Sequence, residues 1–142
     1  MNKKTVIIPL TFVVTWNNLF RAVGGKRHYS VSDYGEYYWS EAGGKLKSKT
    51  RWKESGNGSD DYGFSALPGG YRWDDGSDFE NTGLNGYWWS ATEGSESHSA
   101  YSHFMSGDFA ADKVFESISL KGTGFSVRCI QASHKADDGA GR

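Results

Sequence analysis

The residues whose chemistry could support catalysis or metal binding are few and scattered in this sequence. A single cysteine, Cys129, excludes an intrachain disulfide and a cysteine-based zinc site. The four histidines show neither an HExxH motif nor another spacing of paired metal ligands. The sequence also lacks a GxSxG elbow, a phosphate-binding P-loop and a dinucleotide-binding motif. These residue types favour binding over catalysis.

Residues 95–119 combine side chains that are typical of a recognition surface. Phe109 and Phe115 stand among histidines, acidic residues and serines with little periodicity. At binding sites, rigid aromatic rings provide contact area and short polar side chains provide adaptable hydrogen bonds. We therefore predict that this segment displays a binding face. Three of its members are instead expected at core positions of strands: Tyr101, Phe104 and Val114.

The composition of the chain restricts its class and its partners. Its 142 residues suffice for one domain with a hydrophobic core but hardly for two. The 16 basic and 17 acidic residues are mixed along the chain and give a net charge of -1, so we expect no nucleic-acid partner. Nineteen glycines against two prolines predict many turns and much coil.

The two ends of the chain differ from the rest. Lys3 and Lys4 precede an apolar run over residues 6–14, which imitates the start of a signal peptide but is followed by no small-residue cleavage site. The run is too short for a membrane span, and its β-branched residues predict a strand. Residues 132–142 offer nothing apolar to bury and are expected to be disordered. We therefore predict a single domain over residues 1–131.

Two short helices are predicted in the first third of the chain. Apolar residues recur at helical spacing from Trp16 to Val23, with Thr15 placed to cap the helix and a glycine pair placed to end it. Residues 33–44 predict a second helix, in which Asp33 would be the cap.

Four strands are predicted in the last third of the chain. They cover residues 86–92, 100–105, 112–119 and 124–130. In the last of them Phe125, Val127 and Cys129 alternate with other side chains, which predicts that these three face the core. Cys129 is therefore expected to be a small buried hydrophobic residue rather than a nucleophile.

The neighbouring indoles of Trp88 and Trp89 constrain the architecture further. Adjacent side chains leave a strand on opposite faces, so the two rings cannot share one core. We expect that one indole faces the helices and that the glycine-rich loops of residues 53–86 cover the other.

Several long motifs occur in a fixed order along the chain. They are SGNGSDDYGFSALPGGYRW at 55–73, GYWWSATE at 86–93, Ala100–Tyr101 and GFSVRCI at 124–130. Together with TWNNLFRAVGG further upstream, they resemble the Fibrobacter succinogenes major paralogous domain. The resemblance covers roughly residues 15–131.

This resemblance implies a fold and a biological setting. The fold would be C-type-lectin-like, of the formylglycine-generating-enzyme branch: an α+β domain with two short helices, a small twisted antiparallel sheet and a long Gly-rich coil region. Similar domains are the ligand-binding heads of diversity-generating retroelement systems of bacteria and phages. The resemblance therefore also implies a secreted protein or one on a cell or virion surface.

The chemistry of the related proteins does not carry over directly. Formylglycine-generating enzymes use a pair of cysteines to handle copper and oxygen, whereas this chain has one. C-type lectins hold calcium with a proline-containing loop and a Trp-Asn-Asp strand, and only Trp73, Asp74 and Asp75 resemble the second part. A solvated acidic loop is the stronger interpretation. We expect no cofactor, with calcium at this loop as the alternative.

The leading hypothesis is a non-catalytic module for adhesion or recognition. It would bind a protein or a glycan through residues 95–119 and the 73–80 loop. Two alternatives stay open: a degenerate formylglycine-generating or carbohydrate-active enzyme, and a structural module whose 95–119 face contacts another copy. The predicted ligand-binding residues are Trp73, Asp74, Asp75, His98, His103, Met105, Asp108, Phe109, Asp112, Phe115 and Glu116.

Overall fold

A computed structural model describes three parts of the chain, residues 16–32, 35–108 and 110–129. The strand predicted for residues 6–14 and the tail predicted for residues 132–142 lie outside these ranges. In the described parts no helix is long and apolar enough to cross a membrane, as the sequence predicts.

Within these ranges, two short helices and five strands form the regular secondary structure. The elements are α1 Trp16–Ala22, β1 Lys26–Ser32, β2 Gly35–Ser40, α2 Gly43–Leu46, β3 Asn85–Glu93, β4 Ser99–Ser106 and β5 Val114–Leu120. The strands make one antiparallel sheet in the order β1-β2-β5-β4-β3, which confirms the α+β class. A coil over residues 47–84 connects α2 to β3.

The helix predicted from Trp16 is α1. Its apolar side includes Phe20 and is continued by Val23, both of which are almost completely buried. Gly24 then adopts a positive φ of 84° and its N–H donates to the carbonyl oxygen of Arg21, so the helix ends where the sequence predicts.

The helix predicted within residues 33–44 is wrong, because residues 35–40 form the strand β2, which pairs with β1. Arg27 of β1 faces Trp39 of β2, and His28 faces Tyr38. Trp39 is buried while Tyr38 on the other face is only partly covered, which is strand alternation. Sheet pairing therefore overrides the capping pattern, and α2 begins only at Gly43.

Three of the four strands predicted in the last third are confirmed as β3, β4 and β5. Residues 124–130 do not form the fourth, since their described part makes only isolated bridges to Arg72 and Trp88. The predicted burial is also wrong for two of its residues. Val127 is 69% exposed and Cys129 is exposed, and neither residue takes part in the bridges, which involve Gly124 and Ser126.

Trp88 and Trp89 point to opposite faces of β3, as predicted. Trp88 is 1% exposed and its ring centroid lies 6.2 Å from that of Trp16 in α1. Trp89 is half-buried and packs on Phe125 at 4.6 Å, so the C-terminal segment covers it rather than the loops expected. Gly86 makes room for the Trp88 indole, because a Cβ there would meet the ring and also lie 2.7 Å from the carbonyl oxygen of Leu67.

Lys47 is a charged residue inside this core. Its side chain is fully buried, and its Nζ donates to the carbonyl oxygens of Ser106 and Ala111 and lies 4.5 Å from the ring centroid of Trp52. Burial lowers its pKa to about 8, partly opposed by the charges of Asp112 and Asp108. Lys47 thus ties the start of the long coil to the end of β4.

Candidate ligand-binding pocket

The two faces of the sheet pack against different parts of the chain. Trp88 and His103 point toward α1, and their ring centroids lie 6.2 and 5.4 Å from that of Trp16. Since side chains alternate along a strand, Tyr87 and Phe104 point the other way. We call these two sides the helix face and the pocket face.

A pocket of about 540 Å³ lies on the pocket face. Residues of β3, β4 and β5 line it together with coil residues that include Tyr71, Trp73, Thr123 and Phe125. This volume falls within the range usual for small-molecule sites, about 300–1,000 Å³. The lining residues are Tyr71, Trp73, Asn81, Asn85, Tyr87, Ser102, Phe104, Ser117, Ile118, Ser119, Leu120, Thr123 and Phe125.

Packed aromatic rings build one wall of the pocket. Tyr71 stands edge-to-face with Trp73 at 5.0 Å and with Tyr87 at 5.3 Å. Phe125 stacks on Tyr87 at 5.1 Å with an interplanar angle of 17°. Trp73 remains 46% exposed, so its indole is available to a ligand.

Glu80 holds two of these rings in place. Its carboxylate accepts a 2.6 Å hydrogen bond from the Tyr71 hydroxyl and a 3.2 Å hydrogen bond from Nε1 of Trp73. The bond to Glu80, supported by burial, raises the pKa of Tyr71 to about 12. Both polar donors are therefore engaged by Glu80, and the rings offer mainly apolar surface to the pocket.

Backbone bonds fix the segment that carries these rings. Tyr71 and Glu80 exchange hydrogen bonds of 3.1 and 2.8 Å, as in a short antiparallel bridge. The Arg72 guanidinium donates to the carbonyl oxygens of Ser77 and Gly76 at 2.8 and 2.9 Å. Asp75 accepts a 2.8 Å bond from the N–H of Ser77, which lowers the pKa of that carboxyl. The loop is thus an ordered turn.

Neutral hydroxyls and amides supply the polar part of the lining. The hydroxyls of Ser102 and Ser119 lie 2.8 Å apart, which leaves each with further hydrogen-bonding capacity. Nδ2 of Asn85 donates to the Tyr87 hydroxyl at 3.1 Å, while Oδ1 of Asn85 is buried and has no donor among the residues described. Burial raises the pKa of Tyr87, so this hydroxyl stays protonated at neutral pH.

Among the described residues, the lining carries no ionisable acid or base apart from the two tyrosine hydroxyls. The acidic residues Asp74, Asp75 and Asp78 lie instead on the exposed loop next to the aromatic wall. Across the described parts of the chain, no group of three or more His, Cys, Asp or Glu residues is placed to hold a metal ion.

His103 and Glu116 form a polar cluster on the helix face. Glu116 is buried and accepts hydrogen bonds from Nε and Nη2 of Arg27 at 3.0 and 2.8 Å. Nε2 of His103 lies 3.9 Å from Glu116, and the rings of Trp16 and Phe20 cover the imidazole. Burial, with a contribution from Arg27, lowers the pKa of His103 to about 3, so the imidazole is neutral.

Phe115 belongs to a row of rings that crosses the whole sheet. On the pocket face it stacks on Phe104 at 4.8 Å and lies 6.1 Å from Tyr38. Phe104 stacks in turn on Tyr87, and Tyr38 stacks on His28. The row runs from β1 to β3 and links the pocket to the opposite edge of the sheet.

The predicted ligand-binding residues do not share one surface. Four of them are buried, which differs from the expected exposed face: His103, Met105, Phe115 and Glu116. The reason is that β4 and β5 pair on both sides and have packed rings on both faces. Trp73 lines the pocket, and Asp74 and Asp75 lie beside it.

Three other predicted residues that the structure describes do not line the pocket. His98 is exposed in the turn before β4, and Asp108 is exposed and accepts from the Ser106 hydroxyl. Asp112 is also exposed and lines a second pocket of about 450 Å³ near α2. Phe109 lies outside the described residues. Whether any of these binds a ligand stays a prediction.

Sequence reasoning missed most of the polar pocket residues. Ser102, Ser117 and Ser119 were not among the predicted ligand-binding residues, but the alternation of side chains along β4 and β5 places them on one face of adjacent strands. Period-two spacing in β4 and β5 was the available signal. Tyr71, Asn81 and Thr123 had no such signal, because coil brings them to the pocket.

The fold and the pocket define a small α+β domain with an aromatic-walled pocket whose lining carries no charged side chain. The chain belongs to the Fibrobacter succinogenes major domain family, whose model matches residues 14–131. This match confirms the family indicated by the sequence motifs. Searches of curated proteins and of solved structures give no match.

Proposed function

We propose that this protein is a non-catalytic ligand-binding module whose ligand, a protein or a glycan, enters the pocket on the pocket face. The observation that carries the proposal is the aromatic wall of Tyr71, Trp73 and Phe125 beside β4 and β5. Trp73 belongs to the first segment that the sequence singles out, residues 73–80, and β4 and β5 lie mainly in the second, residues 95–119. The pocket therefore includes residues of both segments. Apart from Trp73, the side chains that line the pocket are not among the predicted ligand-binding residues.

The chemistry of the lining supports binding rather than catalysis. Ser102 and Ser119 hydrogen-bond with each other, and the histidine next to Ser102 in sequence points to the helix face. A serine nucleophile needs a base within hydrogen-bonding reach, and none of the described residues that line this pocket is such a base. Cys129 is exposed and is the one cysteine of the sequence.

The finer classification of the fold is also part of this proposal. Two short helices, one antiparallel sheet and a long coil fit a C-type-lectin-like domain of the formylglycine-generating-enzyme branch. We extend to this chain the role of similar retroelement variable proteins, which display ligand-binding heads. A secreted or surface location follows from that role.

Binding to a glycan array and to a surface proteome, with and without calcium, tests the function. The Trp73→Ala variant should lose binding, because 46% of this indole is exposed at the pocket. Phe79→Ala is the matched control, since Phe79 is a 63% exposed ring of the same loop that does not line the pocket. We expect the same ligands with calcium and with chelator. Equal losses in both variants, or no ligand on either platform, would refute the proposal.

A specific observation favours self-association as a second function. Tyr101 and Ile118 face each other across β4 and β5 and are 37% and 46% exposed, so they present apolar surface to solvent from the middle of the sheet. Light scattering of the wild type and of an Ile118→Ser variant tests this. A dimer that the variant abolishes would support it, and a wild-type monomer would exclude it.

A further inference from the structure

We infer that the pocket takes an uncharged, hydroxyl-rich ring, namely a neutral saccharide unit, and rejects anionic ligands. This inference rests on the proposed binding function and specifies its ligand class. It depends on three features: apolar ring faces, neutral hydrogen-bonding groups, and acidic residues on the loop next to the aromatic wall.

The ring faces suit the C–H surface of a sugar. Glu80 already accepts from the Tyr71 hydroxyl and from Nε1 of Trp73, so these rings offer little polar contact of their own. Phe125 adds a third ring to the wall. Rigid aromatic faces give large contact area at low entropic cost, and a pyranose ring presents C–H groups of matching shape.

The polar groups opposite the rings suit hydroxyl ligands. Serine hydroxyls both donate and accept, and three of them line the pocket from β4 and β5: Ser102, Ser117 and Ser119. Asn85 contributes a buried Oδ1 that has no donor within the described parts of the chain, and a ligand hydroxyl would supply one. A sugar offers several groups that donate and accept at once, whereas a hydrocarbon or lipid chain would leave these groups unpaired.

Charge near the pocket selects against anions. No lysine, arginine or histidine is among the described lining residues, so a phosphate, sulfate or carboxylate would find no cation there. Asp74, Asp78 and Glu80 are exposed on the loop that follows Trp73 of the lining. Like charges at an interface disfavour a partner, so an acidic ligand would be repelled.

Paired oligosaccharides that differ in charge test the inference by calorimetry. The neutral probes are cellobiose, maltose, lactose and N,N′-diacetylchitobiose, and the acidic partners are cellobiouronic acid, sialyllactose and a sulfated lactose. We expect at least one neutral disaccharide to bind at millimolar concentration and every acidic counterpart to bind at least tenfold more weakly. Trp73→Ala should reduce the neutral affinity more than tenfold, while Phe79→Ala should leave it unchanged.

A charge-insertion variant separates selectivity from folding. Leu120 lines the pocket and is 52% exposed, so Leu120→Lys adds a cation to the lining at a position that tolerates a long side chain. We expect this variant to gain affinity for the acidic probes and to unfold at the wild-type temperature. Failure of all neutral probes, or stronger binding of acidic probes by the wild type, overturns the inference. If a protein from the surface proteome still binds through Trp73 in that case, the proposed binding function stands without the saccharide.

Discussion

The hydroxyl of Tyr71 donates a 2.6 Å hydrogen bond to the carboxylate of Glu80 at the edge of the pocket. The same carboxylate accepts from Trp73, so one acidic side chain orients two neighbouring rings. Glu80 is exposed and does not line the pocket itself. It is therefore a positioning residue for the aromatic wall.

Replacing Glu80 should release both rings and restore an ordinary tyrosine titration. In Glu80→Ala we expect the pKa of Tyr71 to fall from about 12 toward its usual value of 10.0, because the acceptor that stabilises the protonated hydroxyl is gone. Tyrosinate absorbance, with Tyr71→Phe to assign the signal, measures the shift. The unfolding free energy should change by no more than about 0.5 kcal/mol, because Glu80 is exposed.

The nearby Asp78→Ala variant is the control, since Asp78 shares the loop but not these bonds. It should leave both the titration and the binding of any pocket ligand unchanged. An unaltered Tyr71 titration in Glu80→Ala would show that the carboxylate does not hold the ring.

The sequence predicts the strands of this fold better than its hairpin. For β3, β4 and β5 the apolar alternation and the turn residues agree, so local and tertiary preferences coincide. In the segment 33–44 a capping pattern favoured a helix, but pairing with β1 and burial of Trp39 outweigh it. Nothing local to the segment reveals that partner.

Only a small part of the candidate site was predictable from the sequence. Trp73 was among the predicted ligand-binding residues and lines the pocket, whereas β4 and β5 contribute other side chains than those predicted. The side chains could not be chosen from sequence, because the burial of His103 and Glu116 depends on packing against α1 and pairing with Arg27. The role of Glu80 likewise depends on a bridge between separate coil residues.

The buried imidazole of His103 should make folding sensitive to acid. Its pKa is about 3 in the folded protein and near 6.5 when unfolded, so between these values the unfolded chain binds the additional proton. The unfolding free energy should therefore fall as the pH falls below 6.5, by about 1.4 kcal/mol per pH unit. Urea unfolding between pH 7 and pH 5 measures this slope. This pH range lies above the usual pKa values of carboxyl groups.

The slope should disappear in His103→Gln, whose side chain does not titrate. Glu116 and Arg27 are the charged groups near the imidazole, and both remain in place in this variant. His98→Gln is the control and should keep the full slope, because His98 is exposed. A slope that persists in His103→Gln would assign the acid sensitivity to another group.

Lys47, like His103, should make the unfolding free energy rise with pH, but it should do so in the alkaline range. Its pKa is about 8 in the folded protein and 10.5 when unfolded, so between these values the unfolded chain again binds more protons. The unfolding free energy should rise with pH above 8, by about 1.4 kcal/mol per pH unit, as the buried ammonium becomes neutral.

Unfolding between pH 8 and pH 9.5 should show this rise in the wild type and not in Lys47→Met. The exposed Lys49→Met should retain it, and a flat profile in the wild type would contradict the lowered pKa.

Two glycines should respond to alanine in opposite ways. A Cβ at Gly86 would meet the Trp88 indole and lie 2.7 Å from the Leu67 carbonyl oxygen, so Gly86→Ala must displace a core ring or the backbone. We expect a loss of about 1–3 kcal/mol of unfolding free energy and weaker pocket binding through a shifted β3. A methyl group on Gly44 in α2 would meet no atom within 4 Å, so Gly44→Ala should gain about 0.5–1 kcal/mol. Chemical denaturation of both variants measures the contrast, and equal effects would mean that Gly86 is not required to accommodate Trp88.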